Sequence, residues 1–187
     1  MRDKPRINNT GVLLMKNDFV MPVVVLVLIC MVISGALALT NSFTKPVIEE
    51  AAALREAEAR NEIIPSATGF DLVEFDGLPD TVRAVYRSHN DVGYIFILTT
   101  GGYGGDMRLI CGIGPDGNVI RCSVLEHSET KGLGSKVSEP QFENKFDGKD
   151  SRLEGVDAIG GATISSNAFI SAVMDAFEAF VIIGEAK

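Results

Sequence analysis

Residues 19–39 read FVMPVVVLVLICMVISGALAL, without one charged side chain. As a helix at about 1.5 Å per residue this run is roughly 31 Å long, enough to cross the hydrocarbon core of a bilayer. It divides the chain into a span and two flanks. Ala36-Leu37-Ala38 has the small-residue character of a signal-peptide cleavage site, but the run exceeds the roughly 7–15 apolar residues of a usual signal core, which favours an uncleaved anchor. Ile29 is bulky where a lipoprotein site at Cys30 requires a small residue. Pro22 is expected in the first turn of the span, where a missing N–H costs little.

The flanks differ in charge. Arg2, Lys4, Arg6 and Lys16 precede the span, whereas only Lys45 follows it closely. The positive-inside rule then places residues 1–18 in the cytoplasm and residues 40–187 on the far side of the cell membrane as a single-pass protein. The distal part carries 13 basic against 23 acidic residues. A body that acidic repels phosphate backbones, which excludes nucleic acid as a partner. A length of 187 residues fits one modest domain with attachments. Three cysteines and two histidines are too few for an all-protein iron–sulfur cluster or a Cys/His zinc site, and no metal site is expected. Any redox chemistry here falls to an organic cofactor.

Residues 46–62, PVIEEAAALREAEARNE, have Pro near the start and acids in the first turn, which predicts a helix beginning at Pro46. Its apolar stripe is thin, so residues 40–66 read as a membrane-proximal stalk that Pro65 ends. Residues 67–187 then form the distal domain. Residues 81–88, 93–100, 107–113 and 119–126 are β-rich runs separated by Gly, Asn, Asp and Pro. Gly114-Pro115-Asp116-Gly117 is a turn between two antiparallel strands. Cys111 and Cys122 flank it. A two-residue loop at Asp116-Gly117 sets them opposite each other, within reach of a disulfide in an oxidising compartment. A type I turn with a bulge at Gly117, which Pro115 favours, shifts the register by one and leaves two small buried residues. Phe169, Val173, Ala176, Phe177 and Phe180 recur at helical spacing and form one apolar face, with Ser165 or Ser166 as the expected cap. The fold class is α+β: an N-terminal transmembrane helix, a stalk helix, then a mostly antiparallel sheet with a C-terminal helix.

Three stretches carry the candidate chemistry. In Asp157-Ala158-Ile159-Gly160-Gly161-Ala162-Thr163-Ile164-Ser165-Ser166 the small residues allow close approach to the backbone just before a helix. Thr163 adds a hydroxyl at an entrance whose free N–H groups and dipole favour a phosphate. An ordinary capped helix start has the same local look. In His127-Ser128-Glu129-Thr130-Lys131-Gly132-Leu133-Gly134, two glycines around one Leu form a tight loop that presents that side chain, or simply a solvated connection. His127 lacks any triad or metal-ligand context. Gly101-Gly102-Tyr103-Gly104-Gly105 places an aromatic in a glycine-rich turn, suited to stacking on a flat cofactor or to packing on the sheet.

The order GYGG, strand, Pro-Asp-Gly turn, strand, HxETxGLG, then DxxxGAT before a C-terminal helix resembles the FMN-binding domain of the G subunit of the Rnf electron-transport complex. The C subunit of the sodium-pumping NADH:quinone reductase shares that domain. The stretch from Pro140-Gln141-Phe142 to Phe146-Asp147-Gly148-Lys149 is also similar to that family, so the resemblance covers nearly the whole chain. It implies FMN held covalently as a phosphoester on Thr163, installed by a flavin transferase, with Asp157 as the acid of the recognition motif. Gly161, Ala162, Ser165, Ser166, Tyr103, Glu129, Thr130, Gly132, Leu133 and Gly134 are the further cofactor-binding candidates. Gly160 stands where the family usually has Ser or Thr, and Lys131 where it has Pro. No acid–base or nucleophilic machinery is visible and no catalytic residue is assigned. The resemblance therefore implies an electron relay within an ion-translocating ferredoxin:NAD+ oxidoreductase, whose integral-membrane and ferredoxin-like subunits are the partners. A flavinylated domain of another extracytoplasmic redox chain, such as the sodium-pumping quinone reductase, and a non-redox anchored binding module are the alternatives.

Overall fold

The computed structural model describes residues 9–185. Arg2, Lys4 and Arg6, on which the expected orientation rests, lie outside the described residues. The chain divides into two units, Met1–Ala52 and Ala53–Lys187.

The described residues of the first unit are helical. Helix α1 runs over Asn9–Ile63 and contains both Pro22 and Pro46. This corrects two expectations: Pro22 is not in a first turn, and Pro46 does not begin a separate helix. A proline removes one N–H and crowds the carbonyl four residues back, at a cost of about 3 kcal/mol. That weakens a helix without ending it when good helix formers stand on both sides. The Thr40 and Thr44 hydroxyls donate to the Ala36 and Thr40 carbonyls, each at 2.9 Å, and the Ala/Glu-rich segment carries the helix onward. Side chains from Val20 to Glu50 are exposed, and the segment is apolar and long enough to cross a membrane.

In the second unit, strands β1 (Phe70–Val73), β2 (Val82–Ser88), β3 (Tyr94–Gly101), β4 (Asp106–Ile113) and β5 (Val119–His127) form one antiparallel meander in sequence order. The four sequence-predicted strands are β2 to β5. β1 was passed over, as were the 3-10 turn at Gly134–Ser138 and the short helix α2 at Pro140–Glu143. Helix α3 spans Thr163–Glu185.

The middle of the sheet is buried on both faces. Ile95, Phe96, Ile97 and Leu98 of β3 are each at most 1% exposed. Phe96, Leu98, Leu109 and Cys111 pack in a core with Phe169, Val173 and Ala176 of α3. Here Phe169 stacks on Phe146 at 4.7 Å and meets Phe142 edge-on at 5.4 Å. Ile95, Ile97 and Ile110 turn to the other face, against Ile63 and Ile64 at the end of α1. Glu56 fastens that end to the sheet. It accepts hydrogen bonds from Arg60 Nη1 at 2.7 Å, Tyr86 Oη at 3.0 Å and Arg108 Nη2 at 2.9 Å. α3 is also apolar and long enough for a membrane span, but Phe169, Ala172, Val173, Ala176 and Ala179 are all 0% exposed within the domain core.

Candidate functional site

Two loops and one helix start build the site. The first loop joins β3 to β4, where the Gly102 N–H donates to the Gly105 carbonyl at 2.8 Å. The second follows β5. Its ends are tied by His127, whose Nδ1 accepts from the Glu129 N–H at 3.1 Å while Nε2 lies 3.3 Å from Ser138 Oγ. Ser138 Oγ donates onward to the Ser135 carbonyl at 2.8 Å. This arrangement places the ring proton on Nε2, so His127 acts as a brace for the loop.

Glu129 joins the two loops. Its side chain is buried, and Oε1 accepts from the Gly104 N–H at 3.2 Å. The glycines around it are there for room. A Cβ on Gly102 would run into Glu129 Oε1, one on Gly134 into Oε2, and one on Gly104 into the Ser128 carbonyl. The sequence marks these glycines as turn formers; their packing role depends on distant segments meeting in space.

The third part is the entrance of α3. Thr163 is its first residue, so Ser165 and Ser166 lie inside the first turn and neither caps the helix. Ala162 occupies the cap position: its carbonyl accepts from the Ser166 N–H at 2.9 Å. Ser166 Oγ donates to that same carbonyl at 2.9 Å and accepts from the Ile159 N–H at 3.1 Å, fixing the preceding loop. Gly161, at φ +82°, makes the turn a side chain would strain.

Together these parts enclose an open cavity of about 390 Å³ lined by Tyr103, Glu129, Thr130, Leu133, Gly134, Gly161, Ala162, Thr163, Ile164 and Ser165. That is a size typical of small-molecule sites. The sequence candidates Gly132, Asp157 and Ser166 are not in its lining. Ile164 is a lining residue that the sequence reading missed; it stands off the apolar stripe of α3, which was the available signal. Tyr103, Leu133 and Ile164 are 73%, 53% and 58% exposed, so the site carries large apolar groups open to solvent. Two of its lining residues carry a side-chain atom that is buried and has no hydrogen-bond partner, Glu129 Oε2 and Ser165 Oγ. They are the only such side-chain atoms among the described residues. Leaving buried polar groups unpaired costs about 1–3 kcal/mol each, and a ligand with hydrogen-bonding groups relieves that cost. A free helix N-terminus, an exposed hydroxyl at Thr163 and an aromatic at Tyr103 fit a phosphate-bearing ligand with a flat ring system. Among the described residues no cluster of His, Cys, Asp and Glu is placed to hold a metal ion.

The family model described as "FMN-binding domain" matches residues 102–178, a stretch that contains every residue lining the cavity. The G subunit of the ion-translocating oxidoreductase complex of Methanosarcina acetivorans is 35% identical over 171 residues, 83% of this chain and 91% of that protein. The chain belongs to the family of Rnf-complex G subunits. Another member, the G subunit of the Na(+)-translocating ferredoxin:NAD(+) oxidoreductase complex of Acetobacterium woodii, is 30% identical over 177 residues, covering 80% of this chain and 85% of its own. The G subunit of the proton-translocating ferredoxin:NAD(+) oxidoreductase complex of Clostridium ljungdahlii is 28% identical over 163 residues, 82% and 86% of the two chains. Among solved structures, NqrC of Shewanella oneidensis is similar at a TM-score of 0.45 and 20% identity, over 62% of this chain and 67% of that one.

Proposed function

We propose that this member of the Rnf G-subunit family carries FMN as a phosphoester on Thr163 and relays electrons between partner subunits of a membrane-bound, ion-translocating ferredoxin:NAD+ oxidoreductase. One observation carries the reading. Thr163 opens α3 on the wall of a cavity two of whose lining residues carry a buried polar atom, Glu129 Oε2 and Ser165 Oγ, that lacks a partner. Bound FMN supplies transfer of electrons singly or in pairs. The chain's own part is attachment, placement and shielding. The Thr163 hydroxyl is exposed and accessible to a maturation enzyme, and the free N–H groups of the first turn of α3 favour the remaining phosphate charge. Gly161 and Ala162 leave room for the phosphate, and Tyr103 and Leu133 offer apolar surface to a flat ring. Glu129 and Ser165 offer hydrogen bonds to its polar edge or side chain. Asp157 is exposed outside the cavity lining and serves recognition by a flavin transferase that uses FAD. Residues 19–39 span the membrane with the N-terminus cytoplasmic, and the flavin domain lies outside. There, no pool refills a dissociated flavin, which gives the covalent bond its use. The integral-membrane and ferredoxin-like subunits of the complex are the partners.

The test is co-expression of the full chain with a flavin transferase, followed by a denaturing gel viewed under ultraviolet light. Yellow-green fluorescence that survives denaturation and disappears in Thr163→Ala is the expected result. A dark wild-type band, with the transferase shown active on another substrate, refutes the covalent relay and leaves an anchored binding module.

A further inference from the structure

The hairpin of β4 and β5 contains a register device that the cavity does not use. Its turn at residues 114–117 closes with the Gly117 N–H donating to the Gly114 carbonyl at 3.0 Å, and Gly117 sits at φ +77°. This is the type I turn with a glycine bulge, and the first pair above it, Ile113↔Val119, carries the one-residue shift such a turn introduces. Continued along the strands, that register faces Cys111 with Arg121. Instead the ladder skips Ile120, Gly112 pairs with Arg121, and Cys111 comes directly opposite Cys122. The second bulge undoes the shift of the first.

The two sulfurs lie 2.8 Å apart, and the residues are 0% and 1% exposed in the core beneath α3. Opposed Cα atoms of antiparallel strands are about 4.5–5.5 Å apart, inside the roughly 4.4–6.8 Å span of disulfides, so a bond requires no movement of the backbone. We propose that Cys111 and Cys122 form an intrachain disulfide in the mature protein, tying together the two strands that lead into the cavity loops. Each thiol gives up one hydrogen and the bond forms between the two Sγ atoms. An external disulfide, of a small thiol or a protein carrier, is cleaved to two thiols that take up the two protons and two electrons. Burial sets the order of events: exchange takes place before the hairpin closes into the core, and the finished bond is shielded from reductants. Cys30, exposed on α1, stays a thiol. The inference stands apart from the flavin.

The test uses the full chain isolated from its membrane, denatured in iodoacetamide before any reductant. Intact mass is expected to show one label, on Cys30, and proteolysis a linked Cys111–Cys122 peptide. Reduction with dithiothreitol under denaturing conditions then exposes two further labelling sites. In the folded protein, loss of the bond lowers Tm by roughly 5–15 °C. The double variant Cys111→Ala/Cys122→Ala keeps small apolar groups in the core, and its Tm is expected not to respond to reductant. Three labels on the isolated protein, or a link from Cys30 to either partner, overturn the proposal.

Discussion

Replacing Gly134 with alanine tests whether Glu129 is a strut between the two loops. The backbone at Gly134 is not in the left-handed region, so alanine carries no conformational strain there, and the effect is one of space. The new Cβ overlaps Glu129 Oε2 and falls 2.8 Å from its Cδ and 3.0 Å from its Cβ. Because the root of the side chain is in the way as well as its tip, no small rotation of the carboxylate clears it. Overpacking of a tight interior costs about 1–3 kcal/mol. If Glu129 swings out, it also abandons the Gly104 N–H, a hydrogen bond to a charged group worth about 1.5–3 kcal/mol. The expected loss is about 3–5 kcal/mol, read by urea unfolding. Hydrogen exchange at the Gly104 amide is expected to speed up in parallel. The deciding control is a double-mutant cycle. In a Glu129→Ala background the carboxylate is gone and only the contact with the residue 129 Cβ at 3.0 Å remains, so the same substitution is expected to cost less, by a coupling of about 2 kcal/mol or more. If Gly134→Ala costs under about 1 kcal/mol in the wild type and leaves Gly104 protected, the strut reasoning is wrong.

Two further substitutions probe the frame around the cavity. Glu56→Ala strips the acceptor from Arg60, Tyr86 and Arg108 at a site where the Glu56 side chain is 15% exposed; a loss of about 1.5–3 kcal/mol in chemical denaturation is expected, with Glu56→Gln milder, and an unchanged midpoint would count against the anchoring role of this end of α1. Glu143 accepts from the Val124 N–H at 2.8 Å and Ser123 Oγ at 3.0 Å, yet burial outweighs these bonds and raises its pKa, as burial also does at Asp147 beside Arg121. A raised folded-state value means that the contribution of Glu143 is complete below its unfolded value, near about 4.3, and is lost as pH climbs through the folded value. Wild-type Tm is therefore expected to fall relative to Glu143→Gln as pH rises from about 4 to 7, and parallel curves would refute the assignment.

Much of this fold is local enough to read from the chain. β2 to β5 are bounded by Gly, Asn and Asp, and the phenylalanines of α3 repeat at a period that only a helix brings to one side. β1 escaped because its four residues include two exposed ones and it pairs with β2 alone. α2 is four residues long, too short for any periodicity. The prolines misled for a different reason. Pro46 looks like a helix start because acids follow it, but that pattern does not distinguish starting a helix from being tolerated in one. In the hairpin, both readings of the turn held one true element. Pro115 does bring the bulge at Gly117, and the cysteines are nonetheless opposite, because a second irregularity at Ile120 has no sequence signature.

The cavity shows the same division more sharply. The place of Thr163 at the start of α3 was legible because hydroxyl, small residues and helix start are adjacent in the chain. Why Gly102, Gly104 and Gly134 must be small was not legible, because the reason is the body of Glu129 and the Ser128 backbone, brought in from elsewhere. Glu129 itself spends one oxygen holding Gly104 and keeps the other buried and unpaired against Gly134. Residues selected only for stability would not leave such a group idle, since an apolar side chain of similar shape avoids the cost. On the proposed reading the cost is relieved when the ligand arrives, so cofactor and loop order are coupled. Loading Thr163 is then expected to slow hydrogen exchange in both loops, at Gly104 and around Glu129, as well as at the start of α3. Protection confined to α3 would mean that the carboxylate faces the cavity without serving it.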